Sequence, residues 1–110
     1  MEFSYGIRES YTEVKADGRL NMVAAPKLRE FVSDVISGGS TRIVVNFEKI
    51  AFMDSSGLGA LIGCLKAARQ AGGDLRIAAV QPQVKMVLQL TSMDKVLTAY
   101  PTAEEAFSNE

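Results

Sequence analysis

Residues 43–59 read IVVNFEKIAFMDSSGLG, and this stretch decides how the chain folds. The run Ile43–Phe47 is dense in β-branched side chains, which predicts a central strand buried on both faces. A second apolar run, Ile50–Met53, leads directly into Asp54-Ser55-Ser56-Gly57. Aspartate and serine are favoured where a helix begins, and the apolar residues that follow recur at helical spacing. The stretch therefore predicts a buried strand that passes straight into a helix.

Strand-like segments flank this stretch on both sides. Residues 11–16 alternate polar and apolar side chains and predict a half-exposed strand, with residues 3–7 as a shorter partner. An Asp17-Gly18 turn is expected to end that strand. Residues 75–80 predict another strand, and residues 93–99 a short edge strand.

Helices are predicted between these strands. Proline is tolerated in the first turn of a helix, so Pro26 and Pro82 are expected to open two of them. Gly38-Gly39 and Gly72-Gly73 are expected to end the first two helices. A capping box at Thr102–Glu105 predicts a short last helix. The chain is thus expected to form one α/β domain over residues 1–110, with a mixed β-sheet of four to five strands and about four α-helices.

Composition excludes several classes of function. Twelve basic and thirteen acidic residues leave a net charge of −1, which gives no electrostatic footprint for nucleic acid or an anionic membrane. The chain has no histidine and one cysteine, Cys64, so no Ser-His-Asp triad, imidazole metal site or internal disulfide is expected. No apolar run is long enough to span a membrane. We expect a cytoplasmic protein without catalytic residues, metal or cofactor.

The candidate functional residue is Ser56. With either Asp54 or Ser55 as the cap, Ser56 falls in the first helical turn, at the positive end of the helix dipole. A phosphate on Ser56 would be tolerated there, and it would add nearly two negative charges beside Asp54. The alternative is that Asp-Ser-Ser-Gly is ordinary capping and turn chemistry.

The predicted helix after Ser56 has an unusual composition on the face that is ordinarily polar. Opposite its apolar stripe lie small residues rather than charges: Ala60, Gly63, Cys64, Ala67 and Ala71. Small residues let another backbone approach closely, so this face is a candidate docking surface that runs from Ser56. The alternatives are a helix covered by its own domain, or one rich in alanine for helix propensity.

Gly57-Leu58-Gly59 also resembles the start of a dinucleotide fingerprint. Ile62 stands where the third glycine belongs, and one domain of this size cannot hold a full dinucleotide fold. Because the first two glycines do follow a predicted strand, a small nucleotide-binding or nucleotide-hydrolysing protein stays open as a third hypothesis.

Several segments together resemble a known family. The segment Phe52–Gly59 resembles the signature of STAS domains, and it is most similar to that of bacterial anti-sigma-factor antagonists. Gly18–Asn21 resembles the family's Gly-x-Leu-Asp turn, Gly72–Leu75 its turn into the next strand, and Val84–Met93 its following helix. The segments occur in the family's order along nearly the whole chain.

The resemblance implies a partner-switching mechanism. The unmodified antagonist would bind an anti-sigma factor that is also a serine kinase with a histidine-kinase-like ATPase domain, which frees the sigma factor. Phosphorylation of the second serine of the motif, Ser56, would switch binding off, and a PP2C-type serine phosphatase would restore it. The residues expected to contact the partner are Asn21, Asp54, Ser55, Ser56, Gly57, Leu58, Gly59, Ala60 and Gly63.

Two positions depart from the family pattern, and one alternative function stays open. Asn21 replaces the more usual Asp, and Thr91-Ser92-Met93 replaces a Thr/Ser-Gly-Leu segment. The alternative is a constitutive STAS scaffold, or a subunit of a stress-sensing or lipid-transport complex, in which Ser56 is never modified.

Overall fold

The computed structural model of the protein describes residues 1–108. Within that range the strands and α-helices follow one another as β1 (Glu2–Ile7), β2 (Thr12–Leu20), α1 (Ala25–Ser37), β3 (Arg42–Asn46), β4 (Ile50–Met53), α2 (Ser55–Gln70), β5 (Asp74–Ala78), α3 (Pro82–Leu90) and β6 (Ala99–Tyr100). Two short 3₁₀ helices lie at Met93–Lys95 and Glu104–Phe107.

The strands form one mixed sheet in the order β1-β2-β3-β5-β6. β1 runs antiparallel to β2, and the other pairs are parallel. β2 pairs with β3 over Thr12–Lys15 and then with β4 over Gly18–Leu20, so two consecutive strands share one edge of β2. The predicted α/β domain with a mixed sheet is confirmed. The sheet has six strands because residues 42–53 split into β3 and β4, and the expected fourth helix is the 3₁₀ helix Glu104–Phe107.

The predicted Asp17-Gly18 turn is wrong. β2 continues through both residues to Leu20, and its register against β4 shifts between Gly18 and Arg19. Gly18 has φ +126°, a conformation that glycine adopts without a side-chain clash. The glycine therefore forms a bulge that extends the strand, and this extension carries β2 to the edge where β4 ends.

The centre of the sheet is as apolar as predicted. Ile43, Val44 and Val45 are at most 2% exposed, which confirms a strand buried on both faces. Ile43 and Val45 belong to the main core with α1 and α2, whereas Val44 packs in a smaller cluster with Phe107 on the opposite face.

The helix ends agree with the turn chemistry. Pro26 and Pro82 lie in the first turns of α1 and α3, and Gly39 and Gly72 have positive φ just beyond α1 and α2. The edge strand predicted at residues 93–99 is shorter and lies later, at Ala99–Tyr100. The backbone N–H of Glu105 donates to the Thr102 hydroxyl at 3.4 Å, which is one half of the predicted capping box.

Candidate functional site

The strand register brings the two candidate polar segments together. Leu20 of β2 pairs with Met53 of β4, so the next residues, Asn21 and Asp54, lie side by side where two parallel strands end. Ligand and partner sites of α/β sheets commonly lie at this carboxyl edge. The Asp54 backbone N–H donates to the Leu20 carbonyl at 3.2 Å, which ties the two segments to each other.

Asp54, rather than Ser55, caps α2. Its backbone is extended, and its carboxylate oxygen Oδ1 accepts a hydrogen bond from the Gly57 N–H at 2.9 Å. Ser55 and Ser56 are therefore the first and second residues of the helix, as the sequence predicts for Ser56. Neither hydroxyl makes a hydrogen bond with residues 1–108, because the carboxylate already serves as the cap.

Asn21 performs the same task one strand away. Its side-chain oxygen accepts hydrogen bonds from the N–H groups of Val23 and Ala24, both at 3.1 Å, and its carbonyl accepts from Ala25 at 2.8 Å. A neutral amide satisfies the same donors that a carboxylate would. The replacement of the family's Asp by Asn21 therefore keeps the turn and removes one negative charge from the site.

Gly57 lets α2 begin directly against β2. A Cβ atom at this position would collide with the carbonyl oxygen and side chain of Leu20. The Gly57 N–H is already bonded to Asp54, so it is not available to a nucleotide phosphate. The turn also presents the Asp54 carboxylate, which would repel a phosphate, and the Gly57 Cα is covered by Leu20. These contacts argue against the nucleotide-binding hypothesis.

Sequence reasoning missed Gln83, which supports the site from α3. Its side-chain amide accepts from the Met53 N–H at 2.9 Å and donates to the Met53 carbonyl at 3.0 Å. The amide thus pairs with β4 as a neighbouring strand would, just before Asp54. Gln81 donates in the same way to the Glu48 carbonyl at 2.7 Å. A long-range contact between a side chain and backbone has no periodic signal that could reveal it from sequence.

The predicted contact residues differ in accessibility. Ser55 and Gly59 are exposed, and Asn21, Asp54, Ser56 and Gly63 are half-buried. Gly57, Leu58 and Ala60 are buried, Leu58 at 7% exposure and Ala60 at 0%. β2 and the core cover these three residues, and their direct contact with a partner stays a prediction.

The small-residue face of α2 is largely an interior face. α1 packs against α2, and Ala60 and Cys64 belong to the core that both helices share. Between the helices remains a groove of about 200 Å³, lined by Gly63, Cys64 and Ala67 of α2 and by Arg29, Val32 and Ser33 of α1. Of the alternatives for this face, the helix covered by its own domain is the correct one for Ala60 and Cys64.

Cys64 is a packing residue. Its side chain is 3% exposed, and burial raises the pKa of its thiol to about 11, although the positive charge of Arg29 acts in the opposite direction. A thiol with so high a pKa is a poor nucleophile at neutral pH. The structure gives Cys64 no catalytic partner among the described residues, which hold no cluster of three or more His, Cys, Asp or Glu side chains fit for a metal ion.

Two apolar side chains that the sequence analysis left unassigned lie beside Asn21. Met22 is 71% exposed and Val23 is 66% exposed, in the turn that Asn21 organises. No helix in the described range is long and apolar enough to cross a bilayer. Together with Ser55 and Gly59 they form an accessible surface around Ser56, which we call the Ser56 surface.

The sequence as a whole matches a family model. The model for the STAS domain aligns with residues 2–106. The chain belongs to the STAS domain family. An anti-sigma-B factor antagonist of Staphylococcus aureus is 31% identical to it over 90 residues, which cover 82% of this chain and 83% of the relative.

Solved structures agree with this membership. A protein of Thermotoga maritima described as a candidate anti-sigma factor antagonist superposes with a TM-score of 0.89 at 26% identity, covering 96% of this STAS domain chain and 92% of the other. The Bacillus cell fate determinant SpoIIAA in its phosphorylated form gives a TM-score of 0.71 at 26% identity, covering 97% of each chain. SpoIIAA in its unphosphorylated form gives 0.80 at 28% identity, covering 97% of this chain and 94% of the other.

Proposed function

We propose that this STAS protein is an anti-sigma factor antagonist that is switched by phosphorylation of Ser56. Its unmodified form binds an anti-sigma factor that is also a serine kinase with a histidine-kinase-like ATPase domain. Phosphorylation of Ser56 ends this binding, and a PP2C-type serine phosphatase restores it. The protein itself performs no catalysis in this scheme.

The observation that carries the proposal is the division of labour between Asp54 and Ser56. Asp54 caps α2 through the Gly57 N–H at 2.9 Å, so the Ser56 hydroxyl has no hydrogen bond to residues 1–108 that a modification would break. A kinase can modify a hydroxyl of this kind without unfolding the helix start. The second helical position also places the new phosphate near unpaired N–H groups and the positive end of the dipole.

The phosphate would act on the partner rather than on the fold. It brings close to two negative charges and three acceptor oxygens to a surface that already carries the Asp54 carboxylate. A partner that buries Ser56 against an apolar or acidic surface would then have to desolvate this charge, which is costly. Phosphorylation would therefore lower affinity while the STAS fold stays intact.

The names of relatives support this assignment. The S. aureus relative is an anti-sigma-B factor antagonist, and SpoIIAA has been solved with and without its phosphate. We infer that the partner contacts the Ser56 surface: the exposed Ser55 and Gly59, the half-buried Ser56 and the apolar Met22 and Val23. Asn21, Asp54 and Gly63 lie at its margin.

The test uses intact-mass measurement and partner capture in parallel. Wild-type protein, Ser56→Ala and the matched neighbour Ser55→Ala are incubated with lysate of the source organism and ATP. We expect one phosphate on wild type and on Ser55→Ala, and none on Ser56→Ala. In pull-downs, Ser56→Ala should retain a protein with a histidine-kinase-like ATPase domain even with ATP present, whereas wild type should release it.

Other results would point to the alternative. If no phosphate appears and all three baits hold the same partners with and without ATP, the protein is a constitutive scaffold. Phosphate on Ser56→Ala but not on Ser55→Ala would move the switch to Ser55.

A further inference from the structure

No other strand of residues 1–108 covers the outer edge of β1, and the direction of the backbone groups on this edge can be assigned. β1 is the first strand of the sheet, and within the described part of the chain it pairs with β2 alone. The Arg8 N–H donates to the Tyr11 carbonyl at 2.8 Å across the hairpin. Because donors along a strand alternate in direction, the even-numbered residues of β1 bond to β2, and the N–H and C=O groups of Phe3, Tyr5 and Ile7 point outward.

We propose that this edge pairs with the β1 edge of a second copy of the chain, in an antiparallel arrangement centred on Tyr5. The proposal is independent of the phosphorylation of Ser56. A two-fold axis through Tyr5 places Tyr5 opposite Tyr5 of the second copy, and Phe3 opposite Ile7. This register uses all three outward-facing residues of each edge, which gives six backbone hydrogen bonds, whereas any shift by two residues leaves some of them unpaired.

Charge complementarity favours the same register. It places Glu2 of one copy opposite Arg8 of the other, on the sheet face away from α1. Glu2 makes no ion pair with the described residues and lies opposite the acidic Asp17 within its own chain. Arg8 bonds to Glu13 at 3.0 Å but remains 49% exposed, and its guanidinium has donors left for a second carboxylate. Glu2 of one copy and Arg8 of the other form a non-hydrogen-bonded pair of the two strands, the kind of pair in which side chains approach most closely.

The apolar side chains on the other face support the pairing. Phe3 and Tyr5 both contact the ring of Phe31 on α1, with centroid distances of 5.4 and 5.9 Å. Tyr5 is nevertheless 55% exposed and Ile7 71% exposed. In the paired edge, Ile7 lies beside Phe3 of the second copy, so the exposed apolar surface of the strand is covered. An interface of one strand pair is smaller than those of permanent dimers, so the dimer should be reversible.

Tyr5→Pro tests the pairing while it keeps the backbone bonds within the monomer. Proline removes an N–H that points outward, so the bonds between β1 and β2 stay intact, and prolines are tolerated on edge strands. In sedimentation velocity over a range of concentrations, wild type should shift from monomer to dimer. Tyr5→Pro should weaken association at least about tenfold, since it removes two intermolecular hydrogen bonds. Tyr5→Ala is the matched control: it removes the ring but keeps both N–H donors, and should weaken association less.

Two further measurements fix the register. Glu2→Lys should weaken the dimer, whereas the same charge change in Asp94→Lys, on the far side of the sheet, should not. Tyr5→Cys should form a disulfide-linked dimer on mild oxidation, because opposed Cα atoms lie about 5.5 Å apart. Ile7 is more exposed than Tyr5, but in this register it lies about 14 Å from its symmetry mate, so Ile7→Cys should not cross-link.

Three results would overturn the proposal. The first is a protein that stays monomeric up to its solubility limit. The second is a dimer that tolerates Tyr5→Pro with the circular dichroism spectrum of the folded protein. The third is cross-linking of Ile7→Cys in preference to Tyr5→Cys. If Tyr5→Pro fails to fold, Glu2→Lys and the cross-linking pair decide.

Discussion

Asn21 and Asp54 are neighbours at the ends of two parallel strands, and each uses one side-chain oxygen to hold the N–H groups of the segment that follows. Asn21 binds Val23 and Ala24 at 3.1 Å, and Asp54 binds Gly57 at 2.9 Å. The pairing of Leu20 with Met53 sets them side by side. The Ser56 surface is therefore built on two caps of the same kind, of which one is an amide and one is a carboxylate.

Replacing the charged cap separates its two contributions. Asp54→Ala should lower the free energy of unfolding by about 1 kcal/mol, because the Gly57 N–H loses its acceptor. Asp54→Asn keeps an oxygen acceptor and should cost less. Urea denaturation of the two variants gives both values. An Asp54→Asn variant as unstable as Asp54→Ala would show that the charge, rather than the hydrogen bond, supports the helix start.

Two glycines in the first turns of α2 should respond in opposite ways to alanine. Gly57→Ala places a Cβ into the Leu20 carbonyl, so α2 must move off β2, and we expect a loss of about 1–3 kcal/mol. Gly59 is exposed, and an added Cβ would lie 3.7 Å from the Arg29 guanidinium, an ordinary contact distance, so Gly59→Ala should be stabilising by up to about 1 kcal/mol. Melting temperatures of the pair test this. Equal shifts would contradict the contact at Leu20.

Gln83 should be necessary for the order of β4. Gln83→Ala leaves the N–H and C=O of Met53 without their partners, and we expect a loss of about 1–3 kcal/mol. Gln89→Ala, an exposed change on the same helix, is the control and should be near neutral. Hydrogen exchange should accelerate at Met53 in the first variant alone. Unchanged protection at Met53 would show that β4 does not depend on this amide.

The fold could be predicted where local patterns agree with the final packing, as at Ile43–Val45 and at Pro26 and Pro82. The predicted Asp17-Gly18 turn is wrong because an Asp-Gly pair fits a β-bulge as well as a turn. The bulge forms here because β4, which comes later in the sequence, pairs with the extended end of β2.

The position of Ser56 follows from the Asp-Ser-Ser-Gly cap. The accessibility of Ala60 does not, since a small residue suits both a docking surface and a tight contact with α1. Gln83 bonds to a strand residue 30 positions away along the sequence, so no local pattern shows it.

Glu13 should make the free energy of unfolding depend on pH in the acid range. Its side chain is 8% exposed and accepts hydrogen bonds from Arg8 at 3.0 Å and Asn46 at 2.9 Å. Burial alone would raise the pKa of this carboxyl, but the hydrogen bonds from Asn46 and Arg8 and the charges of Lys15 and Arg8 outweigh it, so the pKa lies below its ordinary value of 4.5. The ionised form is thus favoured in the folded protein. The stability it contributes is present above pH 4.5 and is lost as the pH falls through the lowered pKa.

Glu13→Gln removes this dependence. At pH 7 the variant should be less stable than wild type by about 1–3 kcal/mol, because bonds to a charged acceptor are replaced by weaker neutral ones. The difference should shrink as the pH falls below 4.5, where wild-type Glu13 also becomes protonated. Urea denaturation at several pH values measures it, with Glu9→Gln as an exposed control that should match wild type throughout. A difference between Glu13→Gln and wild type that stays constant with pH would mean that the loss comes from packing and not from the charge.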